Sequence, residues 1–380
     1  MWNINFWMIF MKYLTESLEG EDLRKYSFVI PTYQNRKLVI NTLRALDYIE
    51  TTETISYEVI IVDDGSLDDT FQSVISEHKK YSFIYTYLPR FENSSRARAR
   101  NYGLKNVTGD IVVFIDGDII VRPDYLLKLD RFFEQSSDMA VVGMRLLLNQ
   151  PIDEQIVIDK SIFDKNILSS FSTGVDFRYQ IFENLSYNAG SMKVPFLFAL
   201  TCNLAVPKKW IDLTDGYDEE LKKWGIEDIE FVYRMCQKGM KIAINTKGAV
   251  IHQFHGSKEE DTVEKGKIEE VDYNTSVLIK KYPGFLGLSD QEIYELFRSI
   301  AHNYTKLEMD NTTKSIEISY NDFKKYEDII MEIRKYADDE AIKLSVLDYV
   351  ENSDLDIFIQ LMTNVKAKIL YFPKTIDFFR

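Results

Sequence analysis

The chain has 380 residues, enough for one large or two moderate domains, and its 45% hydrophobic residues are sufficient for a substantial core. A formal charge of −14 excludes a general nucleic-acid binder, whose affinity would come from a basic surface neutralising phosphates. Only Cys202 and Cys236 are present, too few for a disulfide framework and not spaced as a zinc site, which points to a reducing, cytoplasmic setting.

Residues 1–25 read as an N-terminal extension. Its first stretch, Met1-Trp-Asn-Ile-Asn-Phe-Trp-Met-Ile-Phe-Met11, is apolar and aromatic but lacks a basic flank and a small-residue cleavage site, and is too short to span a bilayer. Two readings stay open: a segment packed on the body of the protein, or a weak interfacial anchor at the inner face of a membrane. From Tyr26 the pattern alternates. Strands are predicted at Tyr26–Ile30, Tyr57–Val62 and Phe83–Tyr87, helices over Lys37–Tyr48, Asp68–Lys79 and Arg96–Lys105, and a buried strand over Asp110–Ile115. Such alternation implies an α/β fold with a mostly parallel sheet flanked by helices, and ligands of these sheets sit at the carboxyl ends of the strands. Three polar stretches fall there: Pro31-Thr-Tyr33, Asp63-Asp-Gly-Ser66 and Asp116-Gly117-Asp118.

Each stretch has an ordinary explanation when taken alone. Asp-Gly-Asp is common turn chemistry, and Pro31-Thr-Tyr33 can simply end a strand. Two carboxylates two residues apart at a strand end can also hold an oxygen-loving divalent cation such as Mg²⁺ or Mn²⁺. No Gly-rich dinucleotide fingerprint follows the first strand and no P-loop occurs anywhere, which argues against dehydrogenases and P-loop NTPases.

Together with Ala99-Arg-Asn101 and Trp224-Gly-Ile-Glu-Asp-Ile-Glu230, these stretches occur in an order that resembles glycosyltransferase family 2 over residues 26 to 256. The resemblance implies a GT-A fold and a metal-dependent transfer of a sugar from a UDP-sugar, with Mn²⁺ or Mg²⁺ as cofactor. It implies that Pro31, Thr32, Tyr33, Asp64, Arg96, Asp116 and Gly117 line the nucleotide, with Asp64 accepting from the uracil N3–H, Arg96 as a basic contact and Asp116 on the ribose side. It gives Asp118 and His252 to the metal, with His255 in reserve. It makes Asp228 the general base of an inverting reaction and Glu227 the group that orients the acceptor. The same carboxylates would otherwise be read as first-turn acids complementing a helix dipole. Relatives that retain configuration tend to carry Asn in place of Asp228.

Arg98 and Arg100 are expected in structural ion pairs or facing solvent, and His78 and His302 at the surface. Trp224 reads as a platform for a sugar ring or as a core aromatic, and Asn203 as a contact to donor sugar or acceptor. Residues 257–380 suggest helices, then a small α/β appendage built on Lys314–Ser319, Ile342–Leu347 and Ala367–Phe372; it could bind an acceptor, make a homodimer or stabilise the body. The acceptor is a glycan, peptide or small molecule, with no nucleic acid among the partners. Two alternatives stay open: a retaining or non-UDP transferase on the same fold, and a non-catalytic sugar-nucleotide-binding scaffold.

Overall fold

The computed structural model describes residues 23–374 except 172, 185–186, 257–264, 309, 322 and 363. The apolar stretch 1–11 and the start of the charge-rich segment after Gly256 lie outside the described residues. Among the described residues, no helix is long and apolar enough to cross a membrane.

The apolar, β-branched runs of the first half pair as parallel strands separated by helices that bury their apolar stripes. In chain order these are β1 (Arg24–Thr32), α1 (Arg36–Leu46), β2 (Ile55–Asp63), α2 (Thr70–Ser76), β3 (Ser82–Tyr87), α3 (Arg96–Leu104) and β4 (Ile111–Ile115). Then follow β5 (Ile119–Ile120), α4 (Tyr125–Gln135), β6 (Met139–Leu148), β7 (Thr173–Val175), β8 (Asn203–Pro207), α5 (Glu227–Gln237) and β9 (Lys241–His252). One sheet contains all nine strands in the order β3-β2-β1-β4-β8-β6-β9-β5, with β7 beside β6. Strands β1 to β4 pair parallel, whereas β8 runs antiparallel to both β4 and β6. Every residue of β4 is buried, as expected of a central strand covered on both faces.

A buried carboxylate clamps the start of this sheet. Glu58 on β2 accepts from Ser27 Oγ at 2.6 Å, Thr108 N at 2.8 Å and Thr108 Oγ1 at 2.8 Å, and pairs with Lys25 Nζ at 2.7 Å. Burial alone would raise its carboxyl pKa, but Lys25, Ser27 and Thr108 outweigh burial and lower it from 4.5 to about 2. A depressed carboxyl pKa contributes stability above its unfolded value and loses it as pH falls through the folded one. Glu58→Gln is therefore expected to cost about 2 kcal/mol near pH 7. The gap to the unmodified protein should close between pH 4.5 and 2, which urea melts across that window would read.

After β9 come helices α6 (Lys265–Lys281) and α7 (Asp290–Arg298), followed by a second sheet. Its strands β10 (Lys314–Tyr320), β11 (Ile342–Asp348) and β12 (Lys368–Pro373) pair parallel, with α8 (Tyr326–Arg334) and α9 (Leu355–Leu361) as crossovers. Ile318, Ile329, Leu344, Val346, Leu355 and Ile369 form its own core. This unit is bolted to the large sheet by polar contacts. Gln360 receives Ile244 N–H at 2.6 Å and donates to Ile244 O at 3.2 Å, while Ile369 O accepts from Ser191 Oγ at 2.7 Å and Asn188 Nδ2 at 3.1 Å.

Candidate active site

The carboxyl ends of β1, β2, β4 and β9 converge, and with α3 and α5 they assemble three adjoining groups of side chains. The first is built around Asp64, just past β2. Its carboxylate accepts from Arg90 Nη1 at 2.8 Å and Arg98 Nη1 at 3.2 Å. Burial nevertheless keeps its carboxyl above the usual range, outweighing the two arginines. Arg90 also lies 3.8 Å over the half-exposed Tyr33 ring, and Arg98 lies 4.4 Å over Phe91. Thr32 is buried, and its Oγ1 has no hydrogen-bond partner. A flat aromatic, a stacked guanidinium and a carboxylate with spare acceptor capacity are groups that can recognise a heterocyclic base.

The second group forms where the Asp116-Gly117-Asp118 turn meets the end of β9. Ile119 and Ile120 pair antiparallel with His252 and Ile251, and Gln253 N donates to Asp118 O at 3.0 Å, so the pairing itself sets His252 beside Asp118. A Cβ on Gly117 would approach Pro31 O at 3.2 Å and Thr32 Oγ1 at 3.3 Å, so glycine permits the turn to close on β1. His252 Nε2 lies 3.6 Å and His255 Nε2 3.9 Å from Asp118 Oδ2. The ligand atoms of the three residues fall within 4.8 Å of one another. Asp118 Oδ1 is buried without a partner, and burial, with Asp116 adding to it, raises the carboxyl pKa despite His252. A buried carboxylate with Oδ2 near two imidazoles and Oδ1 without a partner fits a divalent cation.

The third group lies at the start of α5. Its first turn carries Glu227, Asp228 and Glu230. Glu230 is structural: it pairs with Arg234 at 2.7 Å and accepts from Tyr282 Oη at 2.7 Å. Asp228 accepts from Thr201 Oγ1 at 2.7 Å, Thr201 N at 3.1 Å and Arg100 Nη1 at 3.2 Å. Glu227 is 4% exposed, its Oε2 has no partner, and burial together with neighbouring Asp228 pushes its carboxyl pKa up to about 7. The backbone entering this helix is strained. Gly225 has φ +84° and the β-branched Ile226 follows at φ +75°, a region costing roughly 1–3 kcal/mol for such a residue. Buried Asn274 on α6 holds the turn by donating to Lys223 O at 2.9 Å and Gly225 O at 2.6 Å.

Arg100 joins the second group to the third. It is 2% exposed in side-chain area, with Nη2 3.0 Å from Asp116 Oδ1, and Nη1 3.2 Å from Asp228 Oδ1 and 3.6 Å from Glu227 Oε1. Burial would raise the Asp116 carboxyl pKa, but Arg100 first, then Arg96 and His252, holds it below the usual value.

Arg96 is exposed at the first turn of α3, on the same helix face as Arg100. Arg98 and Arg100 are both in ion pairs, as expected, and those of Arg100 run to carboxylates of the second and third groups. Its signal was the i, i+4 spacing from Arg96 on a helix leading to β4. Arg90 has no motif of its own in the sequence; its place just after β3 is the available clue.

Asn203 requires a correction. Its amide lies inside the sheet, accepting from Tyr125 Oη at 2.8 Å and donating to Met144 O at 3.0 Å and Gly248 O at 2.9 Å. A Cβ on Gly143 would sit 2.1 Å from its Nδ2, so glycine makes room for it. At 2% exposure and with its amide so engaged, Asn203 is structural and cannot reach a sugar. Trp224 is half-buried, with the Lys267 ammonium 4.8 Å over its ring. His78 and His302 are exposed. Burial pushes the Cys202 and Cys236 thiols up to about 12, which leaves neither available as a thiolate nucleophile.

The sequence matches the family model for glycosyl transferase family 2 over residues 27–191, continued by a match to the N-terminal domain of galactosyltransferase over residues 186–256. It is 25% identical to the uncharacterized glycosyltransferase YfnE of Bacillus subtilis, covering 70% of this chain and 72% of that one. It is also 25% identical to the chondroitin synthase of Pasteurella multocida over 62% of this chain, but that match spans only a quarter of the synthase (25%). A crystal structure of Staphylococcus aureus TarS 1–349 in complex with UDP-GlcNAc overlaps 74% of this chain and 75% of its own, at 16% identity and a TM-score of 0.48. The two matched segments run together across the sheet and all three groups of side chains, and the chain is a nucleotide-sugar-dependent glycosyltransferase whose residues 27–191 match glycosyl transferase family 2.

Proposed function

We propose that the protein is an inverting, metal-dependent glycosyltransferase that moves a sugar from a UDP-sugar to a hydroxyl of a glycan, peptide or small molecule. The observation that carries this reading is the Arg100 bridge, which sets a carboxylate suited to take a proton beside the turn that carries the cation ligands.

Tyr33, with Arg90 stacked on it, supplies a face for the base, and Asp64 accepts from the uracil N3–H with the lone pairs its arginines leave free. Asp116 faces the ribose, and Thr32 Oγ1 is available to the donor. Asp118, His252 and His255 would hold a divalent cation, which supplies neutralising charge at the diphosphate when bound. Asp228 takes the proton of the acceptor hydroxyl as the hydroxyl oxygen forms its bond to the anomeric carbon. The bond from that carbon to the diphosphate oxygen breaks, and UDP leaves with the electron pair. Glu227 orients the acceptor, and Trp224 offers a ring face to a sugar.

Attack from the face opposite the leaving group inverts the anomeric centre. Proton NMR of a UDP-α-sugar under slow hydrolysis is expected to show the β-anomer first, before mutarotation. Early appearance of the α-anomer would contradict inversion.

A further inference from the structure

We propose that Arg100 is a positioning residue that aims Asp228 at the acceptor and ties that aim to the donor side through Asp116. The inference rests on the reading of Asp228 as general base and extends it by naming what holds the base in place.

The geometry is that of a fork with its tines in two subsites. Nη2 takes Asp116, on the turn after β4, at 3.0 Å, and Nη1 takes Asp228, in the first turn of α5, at 3.2 Å. These residues are 112 apart in sequence (228 − 116), and the guanidinium bridges them directly. The planar group is itself fixed from behind. The Tyr217 ring centre lies 5.6 Å from it, and Tyr217 stacks on Phe231 at 4.0 Å, with Phe114 edge-on to both rings. Alanines 97 and 99 let α3 press against the sheet, so Arg100 reaches the site from a rigid element.

Thr201 completes the hold on Asp228. Its Oγ1 and Arg100 Nη1 both point at Oδ1, while its N–H points at Oδ2, so the carboxylate plane is fixed by donors on both oxygens. Without Arg100 the carboxylate keeps only the two Thr201 donors, one on each oxygen, and loses its charged partner, and Asp116 loses its link to the acceptor side. Lysine cannot substitute, since a single ammonium lacks two diverging nitrogens in a fixed plane. Misplacing a reacting group by about 1 Å costs on the order of 100-fold in rate.

The test uses the full chain with Mn²⁺ and whichever UDP-sugar it hydrolyses or transfers. Arg100→Lys and Arg100→Gln are each expected to lower kcat about 100-fold, with the donor KM rising less than tenfold, and with UDP still binding by calorimetry. The double variant Arg100→Gln/Asp228→Asn should be no slower than Asp228→Asn alone to within about threefold, because the arginine acts through the aspartate. Added guanidinium ion should restore part of the activity of Arg100→Ala.

A kcat for Arg100→Gln within threefold of the unmodified protein would overturn the proposal, as would losses that multiply in the double variant. If Arg100→Gln does not fold, Arg100→Lys, which keeps the buried charge, carries the same test. An unmodified protein that processes no sugar nucleotide would instead overturn the underlying reading of function.

Discussion

Asp118→Ala is expected to lower turnover of the sugar nucleotide by about a thousandfold or more and to abolish tight Mn²⁺ binding. The magnitude follows from the charge a divalent cation neutralises, worth several kcal/mol at roughly 1.36 kcal/mol per tenfold. Asp118 is the only anionic member of the Asp118–His252–His255 cluster, the one such group of three among the described residues. Removing it leaves two imidazoles that hold a dication poorly. Stability should not fall with activity. The carboxylate has a buried oxygen without a partner and a pKa raised by burial, so its loss relieves a cost of folding. Turnover together with Mn²⁺ titration calorimetry and a thermal melt would check all three points. Turnover within tenfold of the unmodified protein would move the cation, if one is used, away from this turn.

Asp228→Asn is expected to lower kcat by about 10²–10⁴-fold, the range that a positioned general base contributes, with donor affinity nearly unchanged. Asparagine keeps the shape and can still accept from Thr201 Oγ1 and Arg100, the two groups that lie at 2.7 and 3.2 Å from Asp228 Oδ1. What it loses is the ability to take a proton. Steady-state kinetics and UDP calorimetry on the same preparation separate the two effects. A rise in donor KM with kcat preserved would place Asp228 in donor binding instead.

The positions of these residues were legible in the sequence to different degrees, and for physical reasons. Strands β1, β2 and β4 announce themselves because they are buried on both faces and so read as continuous apolar runs, each ending in polar residues that mark the ligand-bearing edge. The strands of the second sheet, Lys314–Tyr320, Ile342–Asp348 and Lys368–Pro373, stood out by the same β-branched and aromatic content.

An ion pair was legible for Arg100 but its partners were not, because Glu227 and Asp228 lie far along the chain and nothing local to Ala99-Arg-Asn101 reveals three carboxylates waiting for it. Arg90 was missed for a related reason: its stacking on Tyr33 depends on how the loops after β1 and β3 meet. Asn203 failed in the opposite direction. A polar residue after an apolar run looks like a surface contact, yet here it spans neighbouring strands across the room left by Gly143. The buried ion group of Asp176 with Arg145 and Arg178, at 3.0 and 2.6 Å, gave no sequence signal either, since its members belong to separate elements around β6 and β7.

The paired imidazoles show how topology completes what spacing suggests. His252 and His255 lie three residues apart around the end of β9, and only the pairing of Ile119 with His252 brings them to Asp118, more than 130 residues earlier (252 − 118 = 134). The strand ends at His252, and the chain beyond it sets the two rings 5.1 Å apart.

The most direct test is to measure binding and slow hydrolysis across UDP-, GDP- and TDP-sugars, with Mn²⁺ or with chelator, for the intact chain and Asp118→Ala in parallel. Hydrolysis of a UDP-sugar that requires Mn²⁺ and disappears in the variant is the predicted result. Failure to bind or cleave any sugar nucleotide with either metal or chelator would contradict the assignment of this site to sugar transfer.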